Sequence, residues 1–296
     1  GVDLSHVEWF DDPVALAKST KIDIFVELIG GDEGPARLSV EAALNAGKSV
    51  VTANKALLAK HGMELAKLAE DKRVALAFEA SVAGGIPIVK TLREGLAGNQ
   101  IERVYGILNG TCNYILSRME RLGYAEADPT FDIGGFDTAH KLSILSSLAF
   151  GTAIDAGAVH IEGIESISLA DLQSAEELGY RIKLLGVAQR TAKGIDIAKG
   201  VRSVPLGLPV ATLDHSPRVA VQRHEGGYYI RLSVFDRPGA FASIATRMAE
   251  RQISLESIMQ RSGKGTTTSN GPGDPVQVVL ITYATTETVI HEAIEY

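Results

Sequence analysis

The chain has 296 residues, a length that suits two domains and allows a third. Apolar residues make up 45% and charged residues 22%, which excludes a disordered tail, a fibrous repeat and a disulfide scaffold. Lys and Arg number 29 against 36 Asp and Glu, and the net charge of -7 argues against sequence-independent nucleic-acid binding.

The chain opens without a basic stretch followed by an apolar one, so the expectation is a protein with no signal peptide, located in the cytoplasm. Lys21 to Ile29 is a short, nearly continuous apolar run ending in Gly30-Gly31, the pattern of a strand buried on both faces. Pro35 to Ala46 reads as a helix closed by Gly47, Ser49 to Thr52 as a strand, and Lys55 to Asp71 as a helix. Val74 to Phe78 is the next strand and Gly85 to Leu96 the next helix, with Pro87 in its first turn. This alternation predicts an α/β fold with a doubly wound parallel sheet. The G-x-G-x-x-G turn that usually opens such a dinucleotide-binding unit is absent upstream of Ile22.

Further on, Ile101 to Leu108 is strand-like, and Thr138 to Phe150 and Ser174 to Gln189 read as helices. The apolar stretch Leu142 to Ile161 is broken by serines, glycines and Asp155; it reads as buried core, shorter than the roughly 18 uninterrupted residues a membrane span needs. Gly200 to Gly227, with Pro205, Pro209 and Pro217, marks a connector. The last region reads as strand (Tyr228–Val234), helix (Pro238–Arg251), strand (Ile253–Gln260), polar loop (Arg261–Pro275), strand (Val276–Tyr283) and helix (from Thr286). That is one strand short of a ferredoxin-like unit.

The densest polar cluster runs from Gly123 through Glu126, Asp128 and Asp132 to Asp137, His140 and Lys141. It fits a solvated loop leading into a helix, with Asp137 at the start and Lys141 four residues on. It also fits acidic groups holding a substrate ammonium or hydroxyl, with the lysine exchanging a proton. Lys55 follows a strand at the edge where open α/β sheets take their ligands, and its charge is unhelpful to the dipole of the helix it begins. Glu79 beside the small residues Ser81 to Gly85 could complete an all-oxygen cation site, or simply sit in a tight turn. Asn109 to Tyr114 reads as a polar turn. Cys112, the single cysteine, allows no intrachain disulfide, fits a reducing compartment and reads as a packed thiol with no evident catalytic partner. The histidines show no metal-ligand spacing.

Taken in order, VELIGG, TANKALLA, EASVAGGIP, NGTCNYI and GYAEADPTFDIGGFDTAHK resemble homoserine dehydrogenase over Asp23 to about Gln189. His224 to Ala245 (HEGGYYIRLSVFDRPGAFASIA) resembles the junction to that family's C-terminal ACT domain. The resemblance implies an NAD(P)-dependent enzyme that interconverts L-homoserine and L-aspartate 4-semialdehyde on the route to threonine, methionine and isoleucine. It implies a nucleotide-binding domain over 1–99, a substrate and dimerisation domain over 100–200, a linker over 201–227 and a ferredoxin-like ACT domain over 228–296. Lys141 matches the proton donor, Asp137 the carboxylate beside it, and Lys55 a catalytic lysine between cofactor and substrate. Glu126 and Asp132 match substrate-binding acids, and Gly123 a cofactor-contacting glycine. Glu79, Val82, Gly84 and Ile86 match a sodium site. An amino-acid effector at Asp236 to Phe241 and a homodimer or homotetramer are also implied, with no nucleic-acid or membrane partner.

The chain departs from the family pattern in its missing first strand, in its missing last ACT strand, and near residues 120 and 195, where family segments are absent. The expectation is that the two internal segments belong to the natural protein, because losing sheet strands leaves unpaired edges. A non-catalytic amino-acid sensor built on the same scaffold is the alternative; it has no use for Lys55, Glu126, Asp132, Asp137 and Lys141 together. Another semialdehyde dehydrogenase is disfavoured because Cys112 lacks a partner.

Overall fold

The computed structural model describes residues 3–122, 130–190, 206, 210–213, 225–261 and 275–295. Helix α1 (Pro13–Lys18) starts at Asp12, whose side chain accepts from the Val14 N–H. Lys48 closes its far end by donating to the carbonyls of Ser19 and Ile22. Strand β1 (Ile24–Glu27), helix α2 (Pro35–Asn45), strand β2 (Ser49–Thr52), helix α3 (Lys55–Lys72) and strand β3 (Leu76–Ala77) then alternate. The strands pair in parallel in the order β1-β2-β3. This is the Rossmann-type arrangement.

One face of that sheet is covered and the other is open. Phe25, Glu27, Val50 and Thr52 are buried, whereas Ile24 and Val26 are 56% and 57% exposed. Strand β1 has no neighbour opposite β2 among the described residues. The apolar run predicts a strand buried on both faces; among the described residues only the Phe25 and Glu27 face of β1 is covered.

Helices α4 (Ala80–Ala83) and α5 (Ile88–Lys90) follow, the latter running into a π-helical turn at Thr91–Gly95. The expected helix over Gly85–Leu96 therefore begins late. Gly84 has a positive φ of 60°, and the Glu79 carboxylate takes the N–H groups of Val89 and Lys90, which fixes the helix start there.

Strand β4 (Arg103–Gly106), helix α6 (Gly110–Leu122), helix α7 (Thr130–Ile133) and helix α8 (Phe136–Phe150) come next, then helix α9 (Leu169–Glu177) and strand β5 (Gly186–Gln189). Helix α6 runs unbroken through Glu120 and Arg121; the second expected segment, at Ile195–Asp196, lies outside the described residues. The helix expected over Ser174–Gln189 is corrected. It stops at Glu177, Gly179 turns with φ 82°, and β5 pairs antiparallel with β4, Tyr105 opposite Val187. A Cβ on Gly186 would lie 2.7 Å from the Leu108 side chain, so tertiary packing sets this strand.

Strands β6 (Glu225–Gly226) and β7 (Tyr229–Phe235), helix α10 (Ala240–Glu250), strands β8 (Leu255–Arg261), β9 (Pro275–Thr282) and β10 (Thr285–Thr286), and helix α11 (Glu287–Ile294) complete the chain. The three longer strands form an antiparallel sheet in the order β7-β9-β8. Ile230, Val278 and Leu280 on this sheet pack with Met248 of α10 and Ile290 of α11. The polar loop over 262–274 lies outside the described residues, as does most of the expected linker. Leu206 and Leu213 within that stretch are buried in the core beneath β1 to β3.

The chain divides into two compact units, one of Gly1–Leu172 with Ile182–Pro217 and one of Gln173–Arg181 with Arg218–Tyr296. The first holds a core built on Phe25, Leu44, Leu57, Phe78 and Ile144, and a smaller one around Cys112, Leu116 and Leu172. No described helix is long and apolar enough to cross a membrane.

Candidate active site

Asp137 sits in the first turn of α8 and is 3% exposed. One turn later on the same face, Lys141 donates from Nζ to Asp137 Oδ2 at 2.7 Å and to the Leu108 carbonyl at 2.8 Å. Lys55, the first residue of α3, reaches the other carboxylate oxygen, with Nζ 2.9 Å from Asp137 Oδ1. It gets there because α8 packs against α3, whose start Asn54 fixes by accepting from the Leu57 N–H at 3.0 Å. Two lysines 86 positions apart in sequence thus share one carboxylate.

Asn109 joins the two acidic residues that the cluster pattern singled out. Its Nδ2 donates to Asp137 Oδ2 at 2.8 Å and to Asp132 Oδ1 at 3.0 Å, and its Oδ1 accepts from the Cys112 N–H at 2.7 Å. Sequence reasoning read Asn109 only as part of a polar turn. A buried side-chain amide bridging two carboxylates is a tertiary feature, and the only hint was an asparagine ahead of an apolar helix. Asp132 itself lies in α7, whose last residue, Ile133, accepts at its carbonyl from the Ile164 N–H at 2.8 Å. A Cβ on Gly163 would lie 2.3 Å from that carbonyl, so this close contact requires glycine.

Burial pushes the Asp137 carboxyl up, but hydrogen bonds from Lys141, Lys55 and Asn109 outweigh it and hold the group below its usual value. Asp137 is therefore an anion between two ammonium groups, and the trio carries a net positive charge. His140, on α8 between them in sequence, is pushed down by burial first and by Lys55 second. Burial pushes the Cys112 thiol up to about 11, with Asp132 and Asp137 adding to the effect, so it is an unreactive packed thiol.

Above the carboxyl ends of β1 and β2 lies the glycine loop. Gly30, Gly31 and Gly34 have φ of 85°, 80° and 67°, and a Cβ on any of them would meet nothing within 4 Å. Open space at this edge of a parallel sheet is where a nucleotide fits. Glu79, Val82, Gly84 and Ile86 share the short segment between β3 and α5, with Val82 buried and Ile86 66% exposed. Both Glu79 oxygens take N–H groups, of Val89 and Lys90, and the Ile86 carbonyl takes the Ile88 N–H at 2.8 Å, so a hard cation would have to share these oxygens with their donors. Among the described residues no group of three His, Cys, Asp or Glu could hold a metal. Gly123 and Glu126 lie outside the described residues.

Comparison with known proteins covers nearly all of the chain. The family model described as homoserine dehydrogenase, NAD binding domain, matches residues 3–79, homoserine dehydrogenase matches 87–240, and ACT domain matches 228–295. Homoserine dehydrogenase of Neisseria gonorrhoeae is 36% identical over 96% of this chain and 81% of its own length. That of Corynebacterium glutamicum is 50% identical over 68% of this chain and 48% of its own. The crystal structure of a homoserine dehydrogenase from Thiobacillus denitrificans superimposes with a TM-score of 0.80 at 36% identity, covering 96% of this chain and 80% of that one. A hyperthermophilic archaeal homoserine dehydrogenase in complex with NADPH gives a TM-score of 0.50 at 28% identity, over 60% of this chain and 56% of its own. The gonococcal alignment is 359 positions long although this chain has 296 residues, so the relative carries internal segments without a counterpart here.

Proposed function

The chain belongs to the homoserine dehydrogenase family, and we propose that its Lys141–Asp137–Lys55 bridge performs the proton chemistry by which L-homoserine and L-aspartate 4-semialdehyde interconvert. It is an oxidoreductase of amino-acid biosynthesis with an NAD(P)-binding domain and an ACT domain. The cofactor, when bound, supplies the hydride acceptor or donor. The open glycine loop over Gly30 and Gly31 and the adjoining Lys55 are the described residues that fit it, with Gly123 proposed as a further contact.

The observation that carries this reading is the sharing of the Asp137 carboxylate by two lysines, 2.7 Å and 2.9 Å away. An ammonium has three N–H donors. Lys141 uses two on Asp137 and the Leu108 carbonyl, which leaves one for the substrate oxygen. In the reduction direction, negative charge builds on the aldehyde oxygen, and Lys141 stabilises it and delivers a proton there. In the oxidation direction Lys141 must first be the neutral amine, whose lone pair receives the hydroxyl proton. Asp137 keeps both lysines in place and remains anionic, so it does not compete for the proton. Lys55 adds the second positive charge on the cofactor side. Asp132, one oxygen of which is held by Asn109, accepts the substrate ammonium through the other, together with Glu126.

Sodium bound by Glu79 and the carbonyls of Val82, Gly84 and Ile86 is part of the same proposal, supported by the oxygen-only donor set of that turn. An amino-acid effector at Asp236–Phe241 of the ACT domain, a homodimeric or homotetrameric state and a cytoplasmic location complete it. The test is homoserine-dependent reduction of NAD and of NADP, with and without threonine. Reduction with either cofactor supports the reading, and its absence from folded protein with both contradicts it.

A further inference from the structure

Glu27 is the last residue of β1, in the middle of an apolar run, and is 0% exposed. It forms no ion pair among the described residues. Instead one oxygen accepts the N–H groups of Ile29 at 2.7 Å and Gly30 at 3.0 Å, and the other accepts the Thr52 hydroxyl at 2.5 Å. All three contacts are donated to it, the pattern that an acceptor-only carboxylate can satisfy. A buried carboxylate with no cation is costly unless such bonds offset the loss of water. An apolar side chain would be the cheaper filling for this position, so core stability alone does not explain it.

The network continues toward the active site. Thr52, also 0% exposed, accepts the Asn54 N–H through its hydroxyl oxygen at 3.0 Å. Asn54 donates from Nδ2 to the Gly31 carbonyl at 2.6 Å while its Oδ1 holds the Leu57 N–H at the start of α3. The next residue is Lys55, whose ammonium meets Asp137. Glu27, Thr52 and Asn54 therefore stitch both ends of the glycine loop to the first turn of the helix that carries Lys55.

We propose that Glu27 is a positioning residue for the reaction: it fixes the Leu28–Gly31 loop and, through Thr52 and Asn54, the placement of Lys55 against Asp137. The proposal rests on the role given to Lys55 above. Displacement of a reacting or orienting group by about 1 Å can lower turnover about 100-fold, so small movements of this loop register in catalysis before they register in folding.

The experiment uses the whole chain as Glu27→Gln, Thr52→Val, Thr52→Ser and Lys55→Ala, with circular dichroism to select folded variants. Amide exchange at Ile29 and Gly30 reads the network without reference to activity. Glu27→Gln replaces the charged acceptor of both N–H groups by a neutral amide oxygen and turns an N–H2 onto the Thr52 hydroxyl, and exchange at one or both amides should quicken about tenfold. Turnover should fall about 10- to 100-fold in Glu27→Gln and Thr52→Val, and Thr52→Ser, which keeps the hydroxyl, should recover most of the loss. Should Glu27→Gln not fold, the Thr52 pair carries the same test. Unchanged exchange, or turnover within about twofold of the parent while Lys55→Ala is impaired, overturns the positioning role. Unimpaired Lys55→Ala instead defeats the reading of Lys55 itself, whatever the exchange shows.

Discussion

Asp137 and Lys141 lie one turn apart on α8, with Oδ2 and Nζ separated by 2.7 Å, while the other oxygen of Asp137 is taken by Lys55 at 2.9 Å. Asp137→Asn keeps the shape and removes the charge that holds two ammonium groups together. The account predicts turnover lowered about 100-fold or more and a lower melting temperature, because both lysines lose a buried anionic partner. Steady-state kinetics together with thermal melts check this; wild-type turnover in Asp137→Asn would remove Asp137 from the mechanism.

The site also sets an acid limit on stability. His140 has its ordinary value of 6.5 lowered in the folded chain, so the unfolded chain binds the proton first. The stabilising contribution is present above about pH 6.5 and is lost as pH falls from there through the lower folded-state value. Asp137 adds a second loss of the same sign below its ordinary 3.8. Urea midpoints measured from pH 8 to pH 5 should fall for the parent and fall less for His140→Gln. Identical slopes would contradict the shift.

Much of this geometry was legible before the fold was known. Asp137 and Lys141 at a four-residue spacing and Lys55 after a strand were readable because helix and strand periodicity fix local direction. Asn109, Glu27 and the Gly186 strand were not, because their meaning lies in partners distant in sequence. Asn109 bridges Asp132 and Asp137 only once α7 packs against both α6 and α8, and the charge of Glu27 interrupts an apolar run without indicating what it faces. The helix expected over Ser174–Gln189 failed for the same reason. Its pattern is helical, but β4 offers the second half a strand partner and leaves no room for a side chain at Gly186.

Gly163 tests the floor beneath Asp132. A methyl group there would lie 2.3 Å from the Ile133 carbonyl and 2.8 Å from Gly134 Cα, both backbone atoms. Gly163→Ala should cost about 1–3 kcal/mol of stability and raise the homoserine KM by displacing Asp132, with a smaller effect on cofactor KM. Unchanged homoserine KM in folded Gly163→Ala would separate Asp132 from substrate binding.

Cys112 separates this chemistry from thiol-based aldehyde oxidation. With its value pushed up to about 11 and the side chain buried, the native thiol should resist iodoacetamide at pH 8 and react only after denaturation. Mass spectrometry of native and urea-treated protein reads this directly. Rapid native alkylation with loss of turnover would favour a cysteine nucleophile instead.

The sodium site proposed at the Glu79 turn predicts sodium dependence. Replacing sodium chloride by tetramethylammonium chloride at equal ionic strength should lower turnover, and Glu79→Ala should abolish the difference between the salts. That variant should also lose about 1 kcal/mol of stability, since Glu79 holds the Val89 and Lys90 N–H groups. Equal activity of the parent in both salts would contradict the cation site.

The most direct measurement is the turnover of Lys141→Ala, with NAD(P)H affinity measured separately by fluorescence on the same folded sample. Loss of the proton donor should lower kcat about 100- to 10,000-fold and leave cofactor affinity nearly unchanged. A folded Lys141→Ala protein that reduces NAD or NADP with homoserine at the parent's rate would show that the bridge on Asp137 is structural and that the proton moves elsewhere.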